Sequence, residues 1–212
     1  LRASPCRHDQ SGRERWDEGD FPFGIVQLPN YRDPKNEPAD EAWSHIREAQ
    51  RRTARSLSNT GLVVTIDIGE ARDIHPKNKL DVGKRMAYWA TANLYSKHSV
   101  KSGPSFRYAR PSTSGAELIV SFDDVGRGLT TRDGGKLSEF AIAGEDRKWY
   151  WAQAEIVGRN QVRVWSPSVP KPVAVRYAFN NNPRNPNLTN ETGLPASPFR
   201  SDNWPGPTDG KR

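Results

Sequence analysis

Two short, continuous apolar runs, Phe23–Leu28 and Leu62–Asp67, are each followed by a stretch of helical spacing, and that order does not recur after Ser102. Strands that are apolar on both faces belong to parallel sheets covered on both sides, and strand, helix, strand, helix is the signature of an α/β unit. The loop Tyr31–Asp40 carries Asp33-Pro34, Asn36 and Pro38. Asp40 reads as the N-cap of the first helix. Trp43, Ile46, Ala49, Thr53 and Leu57 then recur along one side, with Gly61 as a left-handed stop. In the second helix, Lys79–Tyr95, Leu80, Val82, Met86, Trp89 and Leu94 share a side.

At Ser102-Gly103-Pro104 the pattern changes. Short runs at Glu117–Phe122, Leu137–Ala143, Trp149–Val157, Gln161–Trp165 and Val173–Phe179 alternate with turn clusters such as Asp133-Gly134-Gly135 and Gly158-Arg159-Asn160. Strands at this spacing without intervening helices indicate an antiparallel sandwich or barrel. The expected division is an α/β region over 20–101, a β-rich region over 102–204 and a disordered tail over 205–212. Residues 1–19 are polar and without period, and read as unstructured or as a mis-assigned start.

Composition narrows the classes. Only 34% of the residues are hydrophobic, yet seven Trp, seven Phe and six Tyr can build a core. The net charge of +7 is spread evenly, its densest run being Arg51, Arg52 and Arg55. A nucleic-acid binder concentrates its charge on one face, so the excess reads as a solvated surface and no nucleic-acid partner is expected. A single cysteine, Cys6, excludes an internal disulfide and a Cys-rich zinc site. No apolar stretch approaches the ~18–20 residues of a membrane span, and residues 1–15 lack the apolar segment of a secretory signal. No membrane partner is expected. The chain begins without Met, which points to the later part of a longer protein.

The candidate chemistry lies after the second run, in Asp67-Ile-Gly-Glu-Ala-Arg-Asp73-Ile-His75-Pro76. Ligands of open α/β sheets sit outside the carboxyl ends of the strands, where this loop emerges. A carboxylate beside an imidazole fixes its tautomer and stabilises the imidazolium. A ring with an ordinary pKa near ~6.5 takes a hydroxyl proton at neutral pH. Equally, Asp73 caps the next helix and His75 is a surface ring. His45 and His98 read as structural, and neither has partners at metal-ligand spacing. Arg47, Glu48 and Gln50 face either the same crevice or solvent. Asp123 and Asp124 read as a turn. Asn187-Leu-Thr189 and Asn190-Glu-Thr192 have the form of glycosylation sequons.

Several ordered motifs go beyond spacing. They are Pro22-Phe-Gly-Ile-Val-Gln-Leu-Pro-Asn30, Trp43-Ser-His-Ile-Arg-Glu-Ala-Gln50, Val64-Thr-Ile-Asp-Ile-Gly-Glu70, Asp73-Ile-His-Pro-Lys-Asn-Lys79, Val175-Arg-Tyr-Ala178 and Gly193-Leu-Pro-Ala-Ser-Pro-Phe-Arg200. Over about Trp16 to Trp204 the chain resembles the carboxyl-terminal part of the sialate O-acetylesterase family, a branch of the SGNH hydrolases. The resemblance implies the carboxyl half of an α/β/α domain with parallel strands, followed by a sandwich-like antiparallel domain. It also implies a Ser/His hydrolysis of acetyl esters on sugars. Sialic acid is the substrate the family names, with acetylated xylan as the alternative.

On that basis His75 is the catalytic imidazole and Asp73 its orienting carboxylate. The wider SGNH pattern places the Asp three residues before the His, where Arg72 stands here, so Asp67 is the alternative. The family's nucleophile and oxyanion-hole motifs precede the stretch matching Trp16, and no Gly-x-Ser-x-Gly or Gly-Gln-Ser-Asn sequence occurs here. The expected partners are therefore an acetylated carbohydrate and a missing N-terminal part bearing the nucleophile. No cofactor is implied, the chain alone is expected to be inactive, and the parent is expected to be exported. The competing reading is a carbohydrate-binding β-sandwich using Trp149, Trp151 and Trp165.

Overall fold

The computed structural model describes residues 12–95 and 100–210. His98 and Cys6 lie outside the described residues. Strands β1 (Phe23–Val26) and β2 (Thr60–Val63) pair in parallel, from Phe23 opposite Thr60 to Val26 opposite Val63. Helices α1 (Ala42–Ser56) and α2 (Lys79–Leu94) both pack on β2. Residues 12–16, expected to be without structure, form a short helical turn, and Arg13 pairs there with Asp20 at 2.6 Å. Within 205–212, expected to be disordered, Asp209 accepts from the Gly206 N–H at 2.9 Å and closes a turn.

The two helix stops differ from expectation for physical reasons. Asp40 does not cap α1: the N-cap is Glu41, whose side chain makes no cap bond, because Asp40 is engaged with the His45 ring and Arg176. Gly61 is strand, and the left-handed residue before it is Asn59, at φ 49°. Gly61 is needed for close approach instead. It sits opposite Gly24 in the parallel pair, and a Cβ on Gly61 would lie 2.1 Å from the Trp89 ring of α2. A Cβ on Gly24 would meet the end of Met86 at 2.6 Å. The two glycines thus make a flat patch that lets α2 settle on the backbone.

From Ser105 onward the chain is antiparallel. One sheet orders β3 (Ser105–Pro111), β4 (Leu118–Asp123), β9 (Gln161–Trp165) and β8 (Gln153–Gly158). The other orders β12 (Phe199–Arg200), β10 (Ala174–Tyr177), β6 (Phe140–Ala143) and β7 (Trp149–Trp151). A small pair joins β11 (Leu188–Asn190) to β5 (Leu129–Thr131). The whole is a mixed α/β fold whose sheets are mostly antiparallel. Alternation in β9 buries Val162 and Val164 and half-exposes Gln161, Arg163 and Trp165, as a strand with one core face requires. Phe199 joins the sheets, stacking on Phe106 at 4.3 Å and meeting Phe122 edge-on.

Val64 and Ile66, just past β2, belong to the same apolar cluster as Phe122, Phe140 and Tyr177. The α/β and β-rich regions therefore share one core. Strands β6 and β10 are buried on both faces, since the loop after β1 and the segment after β12 cover their outer side. There Arg176 pairs with Asp202 at 2.9 Å and with Asp40 at 3.2 Å.

The glycine patch gives an ordered prediction. Gly61→Ala should cost about 1–3 kcal/mol of stability, the usual range for overpacking, because the indole cannot bend aside. Gly24→Ala should cost less, since the thioether end of Met86 swings away. Urea unfolding of both variants against the unaltered chain tests the order, and equal midpoints would contradict it.

Candidate active site

Beyond Val63 the chain runs as a loop to Asn78, across the carboxyl rim of the parallel pair. Its base is fixed by polar struts. The Thr65 hydroxyl donates to the Gln27 carbonyl at 2.6 Å. Arg85 of α2 grips both oxygens of Asp67 at 2.7 Å each and also donates to the Val64 carbonyl. Arg132 approaches the same carboxylate at 3.5 Å. Asn30 accepts from the Gly69 N–H at 2.7 Å and donates to Asn182 at 2.9 Å. A Cβ on Gly69 would lie 2.1 Å from the Asn30 carbonyl, so only glycine fits. Next, the Arg32 N–H donates to the Ala71 carbonyl at 2.9 Å.

The tip beyond Ala71 is open. Asp73 accepts from the backbone N–H of His75 at 2.9 Å, a local turn of the kind Asp favours. Its carboxylate stands 3.7 Å from His75 Nδ1, outside hydrogen-bond distance, and the His75 side chain is 85% exposed. Asp73 does not cap α2, because Asn78 does, accepting from the Asp81 N–H at 3.1 Å. Lys77 and Glu70 pair at 3.1 Å and close the loop's neck. The arrangement presents an imidazole on a braced loop, with room for another group beside it.

Other candidates fall elsewhere. The Asp67 side chain is buried and paired with Arg85 and Arg132, and among the described residues His75 is not one of its partners. Arg47 and Glu48 are buried and Gln50 is half-buried, and each is engaged within the chain. Arg47 is buried and donates to the Pro29 and Asn181 carbonyls at 3.1 Å each. Glu48 pairs with Arg51 at 2.8 Å and Arg52 at 2.6 Å. Gln50 accepts from the Leu28 N–H at 3.0 Å. His45 pairs with Asp40 and meets Phe179 edge-on. The sequon residues Asn187 and Asn190 are fully buried and hydrogen-bonded, which leaves no room for a glycan. Among the described residues no group of three or more His, Cys, Asp or Glu could hold a metal, and no helix is long and apolar enough to cross a membrane.

A cavity of about 440 Å³ opens beside β2, between Arg51, Arg55, Trp89 and Asp123. None of its lining comes from the Asp67–Asn78 loop. Its charges are matched within the chain, Arg51 by Glu48, Arg55 by Asp123 and Lys101 by Asp124. The His75 rim is the better candidate for chemistry, because its imidazole is open and mounted on a fixed base.

The struts that brace the loop are legible only in three dimensions. Asn30, Arg85, Arg132 and Asn182 are far apart in sequence, and the one sequence signal is the Asn180-Asn181-Asn182 run, polar yet buried.

No protein-family model matches the chain, and no curated protein does. Among solved structures, the chain is similar to a carbohydrate acetylesterase from Xanthomonas citri. The two share 40% sequence identity with a TM-score of 0.85, over 94% of this chain. The match takes in 45% of the Xanthomonas chain, so this chain spans less than half the length of that enzyme.

The roles of the two carboxylates separate in a stability measurement. Removing one partner of a buried ion pair costs about 3–5 kcal/mol, so Asp67→Ala should lower the unfolding free energy by that order. Asp73→Asn keeps its turn and should stay within about 0.5 kcal/mol of the unaltered chain. Chemical denaturation decides, and an Asp73→Asn loss as large as that of Asp67→Ala would reverse the assignment.

Proposed function

We propose that this chain is the carboxyl-terminal part of an SGNH-type carbohydrate O-acetylesterase and carries the general base, His75, of a Ser/His hydrolysis. The likeness to a carbohydrate acetylesterase at 40% identity carries this reading. The open imidazole at the carboxyl rim supports it. A serine on the part of the enzyme that this chain does not span attacks the acetyl carbonyl while His75 takes its proton. The imidazolium then returns that proton to the departing sugar oxygen. Water repeats the sequence on the acyl-serine, releasing acetate and the free serine. Asp73, 3.7 Å from Nδ1, needs only a small turn of the exposed ring to hold the imidazolium. The sugar is sialic acid or an acetylated plant polysaccharide such as xylan. By itself the chain has no nucleophile motif, and a base without hydroxyl or oxyanion donors does not transfer acyl groups.

A chimera in which this chain replaces the matching part of the Xanthomonas enzyme tests the proposal. It should hydrolyse p-nitrophenyl acetate, while the chain alone should give no rate above buffer. His75→Ala should lower kcat of the chimera by about a hundredfold to ten-thousandfold, the share of a general acid–base group, with its melting temperature unchanged. Asp73→Asn should cost less than His75→Ala but remain measurable. A folded His75→Ala chimera with near-normal turnover would sink the assignment.

A further inference from the structure

The β-rich region has a second concavity, of about 320 Å³, whose walls include Lys35, Asn36, Glu139, Trp151 and Arg184. That volume is within the range of small-ligand sites. The walls are fixed before any ligand arrives. Trp151 donates its indole N–H to the Asn36 carbonyl at 2.6 Å. Arg184 donates to the Asn36 side-chain oxygen, also at 2.6 Å. Glu139 holds a left-handed backbone, φ 64°, a conformation that costs free energy for a non-glycine residue and concentrates at functional sites. One of its carboxylate oxygens accepts the backbone N–H groups of Arg184 and Asn185 at 2.9 and 3.1 Å. No hydrogen bond is made by the other oxygen among the described residues. Burial raises the Glu139 pKa against the pull of those N–H groups and of Arg184.

A half-buried indole beside an acceptor-rich carboxylate and amide matches a pyranose, which has one apolar C–H face and a belt of hydroxyl donors. Aromatic rings bury large areas against such a face, and carboxylates accept hydroxyl hydrogens in short, strong bonds. Glu139 is the one carboxylate of the wall, beside the cations of Lys35 and Arg184, and the Arg184 guanidinium is turned onto the Asn36 side chain. The cavity also shares an orientation with the candidate base. Lys35 and Asn36 belong to the loop leaving the carboxyl end of β1, and His75 belongs to the loop leaving that of β2. Arg32 links the two loops through its bond to Ala71. The other tryptophans of interest are already occupied, Trp149 under Arg176 at 4.2 Å and Trp165 under Arg163 at 5.1 Å.

We infer that the cavity bounded by Trp151 and Glu139 is a subsite for a neutral pyranose unit, seating a glycan chain whose acetylated residue reaches the rim at His75. This rests on the reading of the chain as part of a carbohydrate esterase, and it commits to a neutral polysaccharide rather than sialic acid as the occupant, a choice the titration decides. The test is titration of the full 212-residue chain with xylotetraose, cellotetraose and N-acetylneuraminic acid, followed by calorimetry or by ligand-observed NMR.

One of the neutral tetrasaccharides should bind in the millimolar range or tighter. Trp151→Ala should weaken it by about tenfold, equivalent to roughly 1.4 kcal/mol, and Glu139→Gln by about threefold. Trp165→Ala should leave the affinity unchanged. Circular dichroism melts confirm that each variant is folded. No binding by either tetrasaccharide, an affinity indifferent to Trp151→Ala, or tighter binding of N-acetylneuraminic acid would each overturn the subsite. The two proposals fail separately. Lost sugar binding with hydrolysis of the chimera still dependent on His75 removes the subsite alone. Intact binding with hydrolysis indifferent to His75 removes the esterase assignment and leaves a sugar-binding module.

Discussion

Arg47 is fully buried, and the rim of the molecule is organised around its guanidinium. It donates to the carbonyls of Pro29, Asn180 and Asn181, tying α1 to the loop after β1 and to the segment after β10. Burial pushes its pKa down to about 9, with Glu41 pulling the other way, so it stays a cation at neutral pH. Glu41 completes the clamp by accepting the backbone and side-chain N–H groups of Asn181 at 2.8 and 3.1 Å. Orphaning a buried carbonyl costs about 1–3 kcal/mol. Pro29 also accepts from the Trp43 indole N–H and Asn181 from the Tyr31 N–H, so the Asn180 carbonyl is the one that leans on Arg47. Pro29 adjoins Asn30, and Asn181 adjoins Asn182. Those two asparagines hold the loop that ends in His75, so the position of the imidazole is inherited from the buried cation.

A second charged assembly works on the outer face of the β12–β10–β6–β7 sheet. Arg176 lies between Asp202 and Asp40 and over the rings of Trp149 and Phe179. Burial alone would raise the Asp40 pKa, but the His45 ring and Arg176 outweigh it, and the carboxylate is held below its ordinary range. Asp133 is held down to about 2, by the side-chain amides of Asn185 and Asn187 and then the Gly135 N–H. Two turns near the rim are thus fixed by carboxylates held below their ordinary pKa.

What the sequence showed and what it hid divide along the range of the interactions. Strand β9 falls on its expected bounds, and β1, β4, α1 and α2 fall within a few residues, because their apolar spacing is local. Strand β2, by contrast, is Thr60–Val63, and most of the expected Leu62–Asp67 run belongs to the loop after it. Strands β5, β11 and β12 are two or three residues long, and only their partners define them. Asp40 has the right residue type for a cap, yet a partner 136 positions away claims it. Gly61 has the right type for a helix stop, yet its role is set by a ring 28 positions on. In the candidate site, the loop with Asp73 and His75 stands out in sequence because its residues are contiguous. Its braces are scattered from Asn30 to Asn182, and the Trp151 cavity is closed by Asn36 and Arg184, which no spacing connects.

The seam at Arg47 also bears on biosynthesis. A guanidinium at position 47 waits for acceptors at 180 and 181, a separation of more than 130 residues. At about 5–20 residues per second of translation, the ribosome exposes α1 roughly 7 to 27 seconds before those carbonyls emerge. During that interval the Arg47 guanidinium lacks the acceptors from the later chain that it has in the folded protein.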